Sequence, residues 1–145
     1  MLGLEGKVWK DPNSSSWLIE ISFLGVMTQG RTRKEALEMI KDAVMELLKD
    51  SYEDVLDKKF QLTVTLYEDG VIGLGASDEK LLFALGLKRQ RLRSGLTIRD
   101  VSRRLKSKSP NAYARYERAQ AKPSFEKYAE LLHAANPARR PLLLS

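Results

Sequence analysis

The charge on this chain reverses near residue 76. Residues 1–76 carry 9 Lys and Arg against 13 Asp and Glu, a net of −4, whereas residues 77–145 carry 16 against 6, a net of +10. A reversal of that size implies two modules with different partners. The basic half has the character of a nucleic-acid binder, and the acidic half would repel nucleic acid. The chain has 145 residues, which suffices for two small domains. With 43% hydrophobic and 30% charged residues, its composition is that of a globular protein and not of a disordered one.

Composition also removes whole classes of chemistry. There is no cysteine, so disulfides, Cys-based zinc sites and thiol catalysis are excluded. A single histidine, His133, cannot form a two-His metal site. No apolar run approaches the roughly 18 residues of a membrane span. The opening MLGLEGKVWKD lacks the apolar segment of a secretory signal. The expectation is a cytoplasmic protein with no membrane partner, no metal and no cofactor.

In the acidic half, Glu5 to Lys10 and Ser16 to Leu24 read as strands joined by the turn formers Asp-Pro-Asn-Ser-Ser. Trp17, Ile19, Ile21 and Phe23 alternate with mostly polar residues, the pattern of a half-buried antiparallel strand. Gly25 marks a turn and Val26 to Thr28 a short third strand. Thr32 and Glu35 then have the spacing of a helix-capping box. Ala36, Leu37, Ile40, Ala43, Val44, Leu47 and Leu48 follow at helical spacing, which predicts an apolar stripe lying on the sheet. Asp50 to Asp57 reads as an acidic linker. Phe60 to Leu66 alternates again, Tyr-Glu-Asp-Gly turns, and Val71 to Leu74 returns as a short strand. The predicted fold is α+β, an antiparallel sheet with one packed helix, over residues 1–76.

The segment Leu24-Gly25-Val26-Met27-Thr28-Gln29-Gly30, followed by Thr32-Arg33-Lys34-Glu35-Ala36-Leu37, resembles the HicB-type antitoxin domain. Leu24 stands where that family usually has proline. The resemblance implies a partial, truncated RNase H-like fold that lacks the nuclease acids. The candidate acids here are Glu5, Asp11, Glu20 and those of the helix. None is obliged by the pattern to converge on a metal pair, and the helix acids Glu35, Glu38, Asp42 and Glu46 fit a water-facing surface. The chain is therefore expected not to be an enzyme.

In the basic half, residues 77–145, only helical signals appear. Ser77 reads as an N-cap with Asp78 and Glu79 in the first turn, and Gly95 as the residue just past the helix end. Gly86 interrupts this helix pattern. Thr97 caps the next helix with Asp100 at its third position, and Ile98, Val101 and Leu105 give it an apolar face. Lys106 to Lys108 form a turn. Ser109-Pro110 is the strongest helix start in the chain, an N-cap followed by an N1 proline. Tyr113 and Tyr116 read as core supports of the helix that follows. Ser124 opens a final helix whose buried side is Phe125, Tyr128, Leu131 and Leu132, with His133 on its surface. Pro141 to Leu144 is an apolar tail that folds back on the domain or marks a subunit contact.

Two short helices with a tight turn, flanked by supporting helices, describe an all-α helix-turn-helix domain. Leu92 to Thr97, Val101 to Leu105, Tyr116-Glu117-Arg118 and Lys122-Pro123-Ser124 resemble the Cro/repressor-type family. Lys106 and Ala119 stand where that family has glycine. The N-terminal end of the second helix of such a motif meets base edges in the major groove. The expected base readers are Ser109, Asn111, Ala112 and Arg115, with Lys108 at the entrance. Asn pairs with adenine and Arg with guanine in two-bond contacts. Thr97 and Arg99 are expected to hold phosphates, and Arg103, Arg104 and Lys106 to add salt-dependent affinity.

Together the two resemblances imply an antitoxin. Its acidic domain would bind and cover a HicA-type mRNA endoribonuclease toxin. Its basic domain would bind double-stranded operator DNA as a homodimer or higher homo-oligomer, repressing its own operon. Two other classes remain open on the residues alone. A ligand-sensing regulator predicts an apolar pocket in residues 1–76, and a nuclease predicts clustered acids.

Overall fold

A computed structural model describes residues 3–138 and 143–144. They fall into two compact units, Met1–Asp78 with Leu142–Ser145, and Glu79–Pro141. The first is α+β, and the second is built from helices.

The first unit is an antiparallel sheet with one long helix. β1 (Gly3–Lys10), β2 (Trp17–Ile21) and β3 (Val26–Gly30) form a meander, α1 (Arg33–Tyr52) follows, and β4 (Leu62–Leu66) and β5 (Val71–Ala76) form a hairpin. The strand order is β3-β2-β1-β5-β4, with β1 central. β6 (Leu143–Leu144) pairs with Gly3 and Leu4 of β1. Of the Pro141 to Leu144 tail, these two leucines alone are described, and Pro141 and Leu142 lie outside the described residues. Inward and outward residues alternate as the pleat requires. In β1, Leu4, Gly6 and Val8 are buried while Glu5, Lys7 and Trp9 are not, and Val8 pairs with the buried Ile19. α1 packs on β1, β2, β3 and β4.

Several strand and helix limits differ from the sequence reading: β1 starts at Gly3 and not Glu5, β3 runs to Gly30 and not Thr28, and β4 starts at Leu62 and not Phe60. β2 stops at Ile21 because the backbone turns. Leu24 N–H donates to the Ile21 carbonyl at 3.1 Å, Gly25 N–H donates to Ser22 at 3.0 Å, and Gly25 takes φ 68°. Phe23 and Leu24 leave the strand but stay buried. α1 runs into the segment read as an acidic linker and ends at Tyr52. Tyr52 continues the buried ladder Ala36, Ile40, Val44, Leu48 at four-residue spacing, so apolar burial carries the helix past Asp50. β5 extends to Ala76. Beyond it, Ser77 is not a helix cap: its hydroxyl accepts the Gln61 N–H and its own N–H donates to the Gln61 carbonyl, both at 2.9 Å. That exchange closes the open end of the hairpin.

The start of α1 is tightly specified. The Thr32 hydroxyl accepts the Glu35 N–H at 3.0 Å, and the Glu35 carboxylate accepts the Arg31 N–H at 3.3 Å, one residue beyond the N-cap amide of a standard capping box. Gly30 ends β3 beneath this turn. A Cβ there would lie 2.5 Å from the Ala36 nitrogen and 2.9 Å from the Glu35 carbonyl carbon, both backbone atoms that cannot rotate away. Gly30→Ala is therefore expected to destabilise the first unit by about 1–3 kcal/mol through overpacking. The check is urea unfolding followed by Trp fluorescence. An unchanged midpoint would mean that α1 is free to shift.

The second unit contains α2 (Glu79–Arg93), α3 (Ile98–Arg104), α4 (Pro110–Glu117) and α5 (Phe125–Ala135). α2 is continuous through Gly86. α4 packs on α2 and α3, and α5 packs on the same two helices. Tyr128 anchors α5: its hydroxyl donates to the Phe83 carbonyl at 2.8 Å and its ring lies 4.6 Å from that of Phe83. Phe125 was expected on the buried side but is 58% exposed. It is the first residue of α5, so the helical stripe that buries Tyr128, Leu131 and Leu132 does not reach back to it.

Candidate nucleic-acid interface

The starts of α3, α4 and α5 are set by local capping bonds that the sequence specifies. The Thr97 hydroxyl accepts the Asp100 N–H at 3.1 Å, and the Asp100 carboxylate accepts the Thr97 N–H at 2.8 Å, a reciprocal capping box. These bonds hold the Asp100 carboxyl below its ordinary range. Ser109 caps α4 by accepting the Asn111 N–H at 3.2 Å, with Pro110 at the first helical position.

Three helices end in the same way. At Gly95, Lys106 and Ala119 the backbone turns left-handed, with φ 69°, 57° and 61°. In each case the amide there bonds back three residues and the next amide bonds back five, as in a Schellman cap. Thus Lys106 and Ala119, which replace glycine in the family pattern, keep glycine's conformation. An L-residue there costs roughly 1–2 kcal/mol.

The position of α4 is fixed by a buried ion pair. Arg91 Nε donates to both Glu117 oxygens at 3.0 and 2.9 Å, and its Nη2 donates to one of them at 2.6 Å. Its Nη1 donates to the Leu96 carbonyl at 2.9 Å. The side chains are only 12% and 4% exposed. One guanidinium thereby ties the last turn of α4 to α2 and to the loop before α3. Glu117 holds Arg91 firmly in its charged form despite burial. Burial above all, with the Glu117 carboxylate beside it, pushes the Tyr113 phenol far above its ordinary range, so the ring is neutral. Sequence reasoning named Glu117 only within the Tyr116-Glu117-Arg118 segment and did not pair it with Arg91. The available signal was an acid at helical spacing from Tyr113 and Ala114, inside the stripe that faces the core.

With Tyr113, Ala114 and Glu117 turned inward, Asn111, Ala112 and Arg115 are exposed, as are Lys108 and Ser109 at the entrance. These five residues share the open side of the turn and of α4. Among the described residues, no side-chain hydrogen bond or ion pair engages Asn111, Arg115 or Lys108. Ser109 is differently placed: besides capping α4 it donates its N–H to the Ser107 hydroxyl at 3.3 Å and accepts that hydroxyl's proton at its carbonyl at 2.9 Å. Its remaining capacity toward a base is its own hydroxyl proton. Thr97 and Arg99 are exposed at the far end of α3, about 10 Å along that helix from the turn. Two amides near the start of α3, those of Thr97 and Asp100, are already satisfied within the capping box. A phosphate at that end is left with the Thr97 hydroxyl proton and the Arg99 guanidinium.

Residues 87–136 match the protein-family model described as helix-turn-helix, a match that covers about a third of the chain. No HicB-type family model matches, and no curated protein matches the chain. The matched segment contains the capped α3, the turn at Lys106 and the exposed end of α4. Residues 87–136 are thus a helix-turn-helix module, the DNA-binding part of a transcription regulator.

Proposed function

We propose that this chain is an antitoxin of the HicA/HicB type that neutralises a small basic mRNA-cleaving toxin and represses its own operon. The reading rests chiefly on one observation. The helix-turn-helix shares its chain with an α+β unit whose long helix presents an acidic stripe. Glu38, Asp42, Glu46 and Asp50 recur at four-residue spacing on α1, all exposed, and Glu53, Asp54 and Asp57 continue the charge beyond it. Such a surface attracts a cationic, RNA-binding face and competes with RNA for it. The first unit would act as a partial RNase H-like scaffold without catalysis, blocking the toxin sterically and electrostatically. The second would act as a homodimer or higher homo-oligomer, because one helix-turn-helix covers only a half-site. The ligand-sensing alternative calls for an apolar pocket in the first unit. The groove at the end of α1 is lined by Glu46, Lys49, Asp50, Glu53 and Leu56, of which only the last is apolar.

Co-expression with the short basic protein of the adjacent reading frame is expected to give a stable complex and to relieve growth arrest. Reversing charges on α1 (Asp42→Lys with Glu46→Lys) should loosen that complex and leave promoter binding unchanged. If the neighbouring protein neither arrests growth nor co-purifies, the antitoxin reading fails and the helix-turn-helix regulator remains.

A further inference from the structure

Lys106 closes α3 in a left-handed turn whose bonds engage its backbone and leave its side chain unused. Its φ is 57°, yet its side chain is exposed, and among the described residues nothing pairs with its ammonium. The contrast with Ala119 is instructive. Ala119 bears the same strain at φ 61°, but it is 8% exposed, so its methyl group is packed. Asp69, with φ 57°, belongs to a residue type that tolerates this region. The exposed ammonium of Lys106, unlike the packed methyl group of Ala119, is thus available to a ligand outside the chain.

The surroundings of Lys106 indicate the ligand's chemistry. It lines a cleft between the end of α3 and the last turn of α5, together with Arg104, Leu105, Glu130, His133 and Ala134. Arg104 is pre-positioned there, because its Nε donates to the Ala134 carbonyl at 2.9 Å. That bond leaves its terminal nitrogens to point elsewhere. Glu130 is the one acid in the cleft, and Lys127 offsets it at 3.5 Å. A guanidinium, an ammonium and an imidazole around one small opening form an anion seat. The fixed fork of Arg104 suits a tetrahedral oxyanion.

We propose that Arg104, Lys106 and His133 form a phosphate seat. The phosphate is either one of the DNA backbone, next to the reading end of α4, or that of a free phosphorylated small molecule. The first source rests on the helix-turn-helix reading, and the second does not.

The test uses the full chain and two variants, Lys106→Gly and Lys106→Asn. Gly and Asn both accept the left-handed backbone, so each should raise Tm, Gly by about 4 °C. Affinity is measured by fluorescence anisotropy on a duplex that the full chain selects from a random-sequence pool. If the seat holds a backbone phosphate, both Lys106 variants bind roughly three- to tenfold more weakly despite being more stable. The slope of log affinity against log salt then falls by about 0.9, uniformly across sequences. If it holds a free ligand, DNA binding is unchanged. Inorganic phosphate then shifts the His133 ring proton signals of the parent chain and not those of Lys106→Gly. Variants that gain stability with neither change would overturn the seat. A chain that selects no duplex would instead count against the helix-turn-helix reading, while the inorganic phosphate titration still tests the seat.

Discussion

Glu117→Ala is expected to cost the second unit about 3–5 kcal/mol, enough to unfold it partly at physiological temperature. The reason is what remains behind. Arg91 would keep its charge in a position only 12% exposed, losing both oxygens that it now contacts at 2.6 to 3.0 Å. A buried charge stripped of its partner is among the most damaging single changes in a small domain. Replacing both partners by apolar residues of similar volume, Arg91→Met with Glu117→Leu, should restore most of the loss, because two ions that share one desolvation cost contribute little net stability. Urea unfolding followed by circular dichroism separates the two cases. Destabilisation by the double variant alone, with the single variant unaffected, would show that the Leu96 contact, not the ion pair, is what matters.

Substitutions on the opposite face of the same helix should behave in reverse. Arg115→Ala and Asn111→Ala are each expected to weaken specific DNA binding by about 1–3 kcal/mol, roughly 5- to 150-fold, with no change in Tm. Both side chains are exposed, and among the described residues neither makes a side-chain bond that truncation would break. Each change should also relax preference at one base position and leave binding to unrelated duplex nearly unaltered. That distinguishes a base reader from a phosphate contact, whose loss weakens all sequences alike. If both variants keep full affinity for a selected duplex, the reading surface lies elsewhere in the module. Ser109→Ala differs again, since the hydroxyl caps α4. It should cost about 1 kcal/mol of stability alongside any effect on DNA.

Much of this arrangement is written in local signals. The capping residues Thr32, Thr97, Ser109 and Ser124 each start the helix that follows them, because their bonds span only two or three residues. The alternation in Trp17 to Phe23 marks a strand but overruns it. Pattern alone does not register that Phe23 can remain buried after the backbone has turned. The acidic run after Asp50 suggested a linker, yet burial of Tyr52 outweighed it. Phe125 fails for the converse reason, since an aromatic at a helix start is buried only if a neighbouring element reaches it.

By itself, the sequence determined where α1, α3, α4 and α5 begin, the division into an acidic and a basic half, and the presence of a helix-turn-helix. These depend on contacts within a turn or two of chain and on composition. Only the tertiary structure decided that Glu117 is the buried counterion of Arg91, 26 residues away, and that β5 and not β4 lies beside β1. It alone revealed that Lys106 holds a glycine's conformation while its side chain stays exposed. Such facts arise where distant segments meet, and the free energy of a pairing or a cavity belongs to both partners, so neither segment's residues encode it alone.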